Sequence, residues 1–190
     1  MGVGLMVIAQ KPWETAVTEL EQYRERFVEL NGEEPPKPVM VIVAGVSKDP
    51  ATIKDIREQY LQRWARSTVE HYEFDNVGFA DIEGYEYYGA LAQNIATHGI
   101  DKFNGFLADL QVWGTPEEVT DMLLSYVEMC DAGGMICPVV FGGMPEGVAR
   151  ESYELFASEV LPELKRHDVG GDIGRAGGEQ LDREVAQRQG

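Results

Sequence analysis

Positive charge is scarce in this sequence. Sixteen Lys and Arg stand against thirty-three Asp and Glu, a formal net charge of −17 at pH 7. The summed field repels phosphate backbones and anionic lipid surfaces, so neither nucleic acid nor membrane is expected as a partner. The carboxylates are spread along helical faces and the tail rather than gathered in one block, which serves solubility better than recognition of a cationic partner. Cysteine is almost absent. Cys130 and Cys137 are the only two, too far apart for a C-x-x-C redox or zinc pair, and this usage fits a reducing cytoplasm. Of the three histidines, His71 forms a His-x-Glu pair with Glu73, but no third ligand follows at metal-site spacing; no metal is expected. Long apolar runs are missing too. Gly2 to Ala9 is only strand-length, without a basic region before it and with Gln10-Lys11-Pro12 directly after, so it reads as neither signal peptide nor membrane span.

What remains is ordinary globular material: 44% hydrophobic and 26% charged residues in 190, enough for one sizeable core. Val3 to Ala9 is a continuous apolar run, the signature of a parallel-sheet strand covered on both faces. Trp13, Ala16, Leu20, Tyr23, Phe27 and Leu30 then recur at intervals of three and four, one apolar helical stripe closed by Asn31-Gly32. Pro38 to Val46 is a second strand-like run. Asp49-Pro50 marks a helix start, the carboxylate capping free N–H groups and proline filling the first turn, with Ile53, Ile56, Tyr60 and Trp64 as its buried stripe. Thr115-Pro116-Glu117-Glu118 is a capping box ahead of Val119, Met122, Leu123, Tyr126, Val127 and Cys130. Gly133-Gly134 ends that helix, Met135 to Phe141 reads as a third strand, and a last helix runs from about Pro145 to Arg166, burying Val148, Leu155, Phe156, Val160 and Leu164 and bent by Pro162.

Strands alternating with helices imply a parallel sheet with right-handed crossovers, either doubly wound or a (β/α) barrel. Three strands cannot close a barrel, since eight strand–helix units occupy about 250 residues. An apolar strand that starts almost at Met1, without the slack of a fraying terminus, adds the expectation that further strands precede it. Residues 168–190, with Gly170-Gly171 and Gly177-Gly178 and few apolar positions, read as a disordered tail.

The run Gly114-Thr115-Pro116-Glu117-Glu118, an amphipathic helix, Met135-Ile136-Cys137-Pro138-Val139-Val140-Phe141, Gly142-Gly143-Met144-Pro145 and Phe156-Ala157-Ser158-Glu159-Val160-Leu161-Pro162 resembles, in order and spacing, the C-terminal end of the bacterial luciferase-like flavin-dependent monooxygenases. The Gln10-Lys11-Pro12-Trp13 turn and the segment 71–113 extend the resemblance over residues 1–166. It implies a partial (β/α)8 TIM barrel, with Val3 to Ala9 as the sixth strand, Pro38 to Val46 as the seventh and Met135 to Phe141 as the eighth. Residues 71–113 would then be an insertion that lies over the active site as a mobile loop. The family's flavin phosphate grip, at the end of its fifth strand, would lie upstream of Met1.

Parallel barrels do chemistry at the carboxyl ends of their strands. The loops there supply the candidate cofactor contacts: Gln10 and Lys11, the lysine toward a phosphate or ring carbonyl, and Gly142 and Gly143, where backbone can approach a ligand beside a helix N-terminus. A glycine pair that only makes the turn, and a lysine that is only solvated, are the plainer readings. His71, Tyr72, Phe74 and Tyr85 belong to an aromatic-rich stretch that reads either as a substrate lid excluding water or as a packing flap on the barrel rim. Cys137 reads as a small core residue rather than a nucleophile, and no catalytic residue is assigned. The expectation is a C-terminal fragment of a luciferase-like oxidoreductase. It would use FMN, or a deazaflavin in the related branch, on a small organic substrate, and would be inactive alone. Two alternatives stand beside it: a non-catalytic flavin-binding protein or partner subunit with an incomplete barrel, and a doubly wound binding module. A homodimer or a missing N-terminal half is the expected partner.

Overall fold

The computed structural model describes residues 4–167; the expected tail lies outside them. In chain order the elements are β1 (Met6–Ile8), α1 (Trp13–Asn31), β2 (Val39–Val41), β3 (Ala44–Val46), α2 (Pro50–Asp55), a π-helical turn (Ile56–Tyr60), α3 (Leu61–Tyr72), a short 3₁₀ turn (Val77–Asp81), α4 (Glu86–His98), α5 (Ile100–Asp109), β4 (Val112–Gly114), α6 (Pro116–Cys130), β5 (Gly134–Ile136), α7 (Glu146–Leu155), a second π turn (Phe156–Val160) and α8 (Leu161–Arg166). All strand pairs are parallel: β1 with β2, β2 with β5, and β3 with β4.

Helix starts follow the local rules. Asp49 accepts from the Thr52 N–H at 2.9 Å, and Thr115 and Glu118 exchange hydrogen bonds as a complete capping box. Gly32, left-handed, closes α1. At the end of α6 that role falls to Asp131 (φ 47°) rather than the Gly133-Gly134 pair expected, and Gly133 instead donates its N–H to the Pro38 carbonyl. The last helix is interrupted by the π turn ahead of Pro162; proline removes one rung of the helical ladder, and a widened turn absorbs the mismatch.

The expected third-strand count needs correction. The run Pro38 to Val46 serves two sheets: its first part pairs with β1 and β5, its last part with β4, a strand hidden in the segment read as the end of the insertion. β1 and β4 share one edge of this central run, end to end. The ladder with β1 proceeds from Val39 N–H to Leu5 O (2.9 Å) and Ala9 N–H to Val41 O (3.2 Å). The next rung would join Val43 N–H to Ala9 O. The carboxamide of Gln111, 3% exposed, stands between them instead: its Oε1 accepts from Val43 N–H at 3.0 Å, and its Nε2 donates to Ala9 O at 2.9 Å and to Leu107 O at 3.0 Å. From there Val112 N–H donates to Val43 O (3.0 Å) and Ser47 N–H to Gly114 O (3.1 Å), and β4 has taken over the edge. The opposite edge ends in the same manner. Ile42 and Ala44 donate to Ile136 and Pro138, but the Val46 N–H goes to Ser152 Oγ (3.0 Å), a fully buried hydroxyl that donates to Val139 O at 3.4 Å.

The two faces of the sheet differ. Val7, Met40 and Met135 share one face, and Met40, Ile42, Ala44 and Val46 pack there in one core with Trp13, Ala16 and Leu20 of α1 and Val119, Leu123 and Val127 of α6. Trp13 stacks on Tyr126 with ring centroids 4.4 Å apart, which locks the two helices together. Helices α1 and α6 therefore lie on the same side, as in a barrel sector; a doubly wound sheet carries its crossover helices on both faces. On the other face lie Met6 with Val39, and Ile8 with Val41 and Ile136. Met6 is 53%, Ile8 44% and Ile136 47% exposed. The expectation that these strands are covered on both faces thus fails at Met6, Ile8 and Ile136. The apolar stripe expected of α1 is likewise not buried to its end, since Leu30 is exposed.

Removing the Gln111 carboxamide would leave the Val43 N–H and the Ala9 carbonyl buried without partners. Gln111→Leu is expected to cost about 2–4 kcal/mol, read as a lowered urea midpoint at unchanged slope. A change below about 0.5 kcal/mol would show that the splice does not hold the strands.

Candidate functional site

The candidate site lies where the strand ends emerge. Gln10 and Lys11 leave β1 together: the Gln10 N–H donates to the Ile8 carbonyl at 2.8 Å, and both residues line a groove of about 360 Å³ between β1 and α1, floored by Leu5, Val7, Ala16 and Leu20. The Lys11 ammonium is already engaged. It pairs with Glu19 at 2.7 Å and sits 4.7 Å over the Tyr87 ring. Burial raises the Tyr87 phenol pKa against the opposing pull of Lys11.

Gly142 and Gly143 follow β5, on the far side of the central run from Gln10 and Lys11. Gly143 is left-handed (φ 92°), and its carbonyl accepts from Arg63 Nη1 at 3.5 Å. The helix behind the pair, α7, opens with Glu146, itself bonded to Arg150. A carboxylate in the first turn already answers the partial positive charge that a phosphate would seek. Neither glycine lines the groove beside Lys11, so the structure does not bring the four cofactor candidates together.

The aromatic insertion is folded rather than an open loop. His71 and Tyr72 end α3, and the segment continues through the 3₁₀ turn, α4 and α5 before rejoining the sheet at β4. Its rings pack on one another: Tyr72 stacks on Phe74 (5.6 Å), Phe74 on Tyr88 (5.9 Å) and edge-on to Phe103 (6.2 Å), while Tyr85 meets Phe79 (5.5 Å) and Tyr88 (5.8 Å). Of the four lid candidates only Phe74 is buried; His71, Tyr72 and Tyr85 are exposed.

Sequence reasoning missed what fills the mouth. Val43 projects on the open side of the sheet, yet it is buried, in a cluster with Ile56, Tyr60, Leu61 and Ala108 and flanked by Trp113, Phe141 and Met144. Gly45 has the same facing, and a Cβ there would stand 2.5 Å from Ile56 Cγ2. The π turn carries both Ile56 and Tyr60 into this cluster. Ser47 lies at the carboxyl end of the central run. It is fully buried, donates to Glu151 Oε1 at 3.0 Å and accepts from the Asp49 N–H at 3.1 Å. Asp49 itself is an N-cap, its carboxyl held below the ordinary value by the Thr52 hydroxyl and N–H. A lone polar residue in Leu110-Gln111-Val112-Trp113, and a glycine inside an apolar strand, were the signals available for the splice and the plug.

Among the described residues no cluster of three or more His, Cys, Asp or Glu is placed to hold a metal, and no helix is long and apolar enough to cross a membrane. Both cysteines are free, and burial pushes the Cys137 thiol up to about 12. The residues present do not by themselves fit a flavin: the one lysine offered to it is paired, the helix behind the glycine turn opens with a carboxylate, and the face above Val43 is occupied by Ile56, Tyr60 and Leu61.

No family model matches the sequence, and no curated protein does. Among solved structures, the EDTA monooxygenase EmoA from Chelativorans sp. BNC1 is similar with a TM-score of 0.55 at 15% identity, over 87% of this chain and 40% of that one. The monooxygenase RslO1 from Streptomyces bottropensis is similar with a TM-score of 0.47 at 20% identity, over 86% of this chain and 42% of that one. The chain spans about two fifths of the length of these structures. At such identity the EmoA likeness establishes shared fold, a mixed α/β unit with a small parallel sheet that corresponds to part of a barrel.

Two outcomes are expected. Gly45→Ala forces a methyl against Ile56 Cγ2 and is expected to cost about 1–3 kcal/mol, measured by denaturant unfolding, with Ile56→Ala, which removes Cγ2, costing less on that background than in the parent chain. Because the thiolate is the reactive form, a shift from 9.0 to about 12 lowers the thiolate fraction of Cys137 on the order of 1000-fold near neutral pH. Labelling by a disulfide reagent is therefore slow in the folded chain, rises with pH and becomes fast on unfolding; rapid labelling at neutral pH would contradict this burial.

Proposed function

We propose that this chain is the C-terminal part, strands six to eight, of a luciferase-like (β/α)8 flavin-dependent monooxygenase that acts on a small organic substrate, and that it is without activity on its own. The observation that carries the reading is the parallel order β1-β2-β5 with α1 and α6 on one face and an apolar opposite face left open. That is the inside of a barrel wall. The luciferase-like run from Gly114 to Pro162 supports the family, and the EDTA monooxygenase among the similar folds supports the reaction class. FMN is the flavin proposed, with a deazaflavin as its counterpart in the related branch, and it would be held by an assembly larger than this chain. A flavin supplies redox chemistry that no amino-acid side chain offers. This chain would add a section of wall and the helical cap over residues 71–113.

A second reading, a non-catalytic subunit of such an assembly, is favoured by one feature: Ile56, Tyr60 and Leu61 fill the strand ends where a barrel enzyme places its reactants.

Titration of the purified chain with FMN, followed by flavin fluorescence, is expected to give no saturable quenching. With reduced flavin, oxygen and candidate substrates it is expected to give no product. Tight binding with turnover by this chain alone would overturn the claim that it is inactive by itself.

A further inference from the structure

We infer that the groove between α4 and α5 is a binding site for a small organic monoanion, a carboxylate joined to an aromatic or branched hydrocarbon body. Each helix gives it one face. Tyr87, Leu91, Asn94 and His98 recur at intervals of three and four along α4, while Gly99, Lys102, Phe103 and Phe106 share one face at the start of α5. The two stripes meet across a cleft of about 320 Å³, a volume that suits a small ligand. Its lining is ordered along its length. Gly99 alone separates the helices, which sets His98 and Lys102 beside the turn, with Leu91, Tyr87 and Phe106 farther from it. Phe103 is buried, and its ring stands 5.8 Å from that of half-buried Phe106.

Charge selects the ligand. In a chain of net charge −17, carboxylates line the grooves beside α1 (Glu19), between α6 and α8 (Asp121 and Glu163) and between α3 and α5 (Glu58 and Asp101). The groove between α4 and α5 is lined by none, and it has Lys102. Lys11, Lys48 and Lys54 each reach a glutamate. Lys102 reaches no described residue, and the side chains of Asn94 and His98 make no hydrogen bond to one either. Asp101, next to Lys102 in sequence, lines the groove toward α3 instead, where it pairs with Arg66 at 3.7 Å. An ammonium, an imidazole and a carboxamide supply N–H donors and one permanent positive charge, which matches a single carboxylate rather than a polyphosphate. The aromatic and aliphatic walls take the hydrocarbon body out of water. Tyr87 lines this groove while Lys11 lines the one beside β1, and the ammonium rests 4.7 Å over the ring. The site is thus distinct from the cofactor candidates, and it stands whether or not the chain is part of a flavin enzyme.

The test titrates the full chain with 3-phenylpropanoate, followed by calorimetry and by NMR contacts from the ligand to the Leu91 and Phe106 side chains. Saturable binding with contacts to both is expected. Propanoate, which lacks the ring, and 3-phenylpropanamide, which lacks the charge, each bind at least about tenfold more weakly. Lys102→Gln weakens 3-phenylpropanoate by at least about fivefold. Lys165→Gln, at an exposed lysine of α8 that also reaches no described residue, leaves it within about twofold. Because Lys102 is exposed, its substitution leaves the urea midpoint unchanged, which separates lost binding from lost folding. No saturable binding, equal affinity for the amide, or equal weakening by the two lysine variants overturns the inference. Binding whose NMR contacts fall on Met6 and Ile136 overturns it in favour of the open sheet face.

Discussion

Nearly every backbone contact between distant parts of this chain is made to one extended segment, Val39 to Ser47. Its odd-numbered residues hydrogen-bond toward β1 and then β4, its even-numbered ones toward β5, and its side chains supply the middle of both hydrophobic clusters. Such a strand has no free choice of partners, because every buried N–H and C=O must be answered. Where β1 stops short and β4 begins, Gln111 answers; where β5 peels away, Ser152 does. These two side chains let strands from three places in the sequence meet one strand without an orphaned group. An isobutyl group in place of the Gln111 carboxamide, or a methyl in place of the Ser152 hydroxymethyl, would come nearest to keeping the packing and would lose the connection.

That dependence explains what the sequence revealed and what it concealed. Helices were legible because their evidence is local: an Asp-Pro start, a Thr-Pro-Glu-Glu box and a three-four apolar stripe act within one or two turns, and α1, α2 and α6 begin at the residues those signals mark. The parallel arrangement was legible from alternation alone. Strand boundaries were not, since the division of Pro38 to Val46 between two sheets is decided by residues about seventy positions away, and Val112–Gly114 is too short to show any period. The cofactor candidates came from resemblance and position in the chain. Whether Lys11 is available depends on Glu19 and Tyr87, the latter brought to it by a helix of the insertion, which no spacing rule anticipates.

The aromatic insertion shows how a plausible functional signal can be satisfied by packing. Dense aromatics must be buried somewhere, and here Phe74 is the centre about which Tyr72, Tyr88 and Phe103 arrange themselves. Stacked and edge-on pairs are each worth about 0.5–1.5 kcal/mol beyond area burial, so the segment has a reason to be aromatic before any substrate is invoked. Its placement still matters, because α5 contributes Ala108 to the cluster that closes over Val43.

The two halves of the sheet's inner face therefore pose different problems with a common origin. Over Val43 and Gly45 the face is covered by Ile56, Tyr60 and Leu61, whereas level with Val39 and Val41 the side chains of Met6, Ile8 and Ile136 are left in water. A chain selected to be stable alone would extend the seal downward, since the aliphatic rows lie directly below it and need only a longer flap. It would also blunt the edges with lysine or proline, yet β1 and β5 carry neither: their residues are Met, Val, Ile and Gly. Leaving both features unprotected costs stability in isolation, and the proposed barrel reading accounts for the exposed rows and the bare edges together.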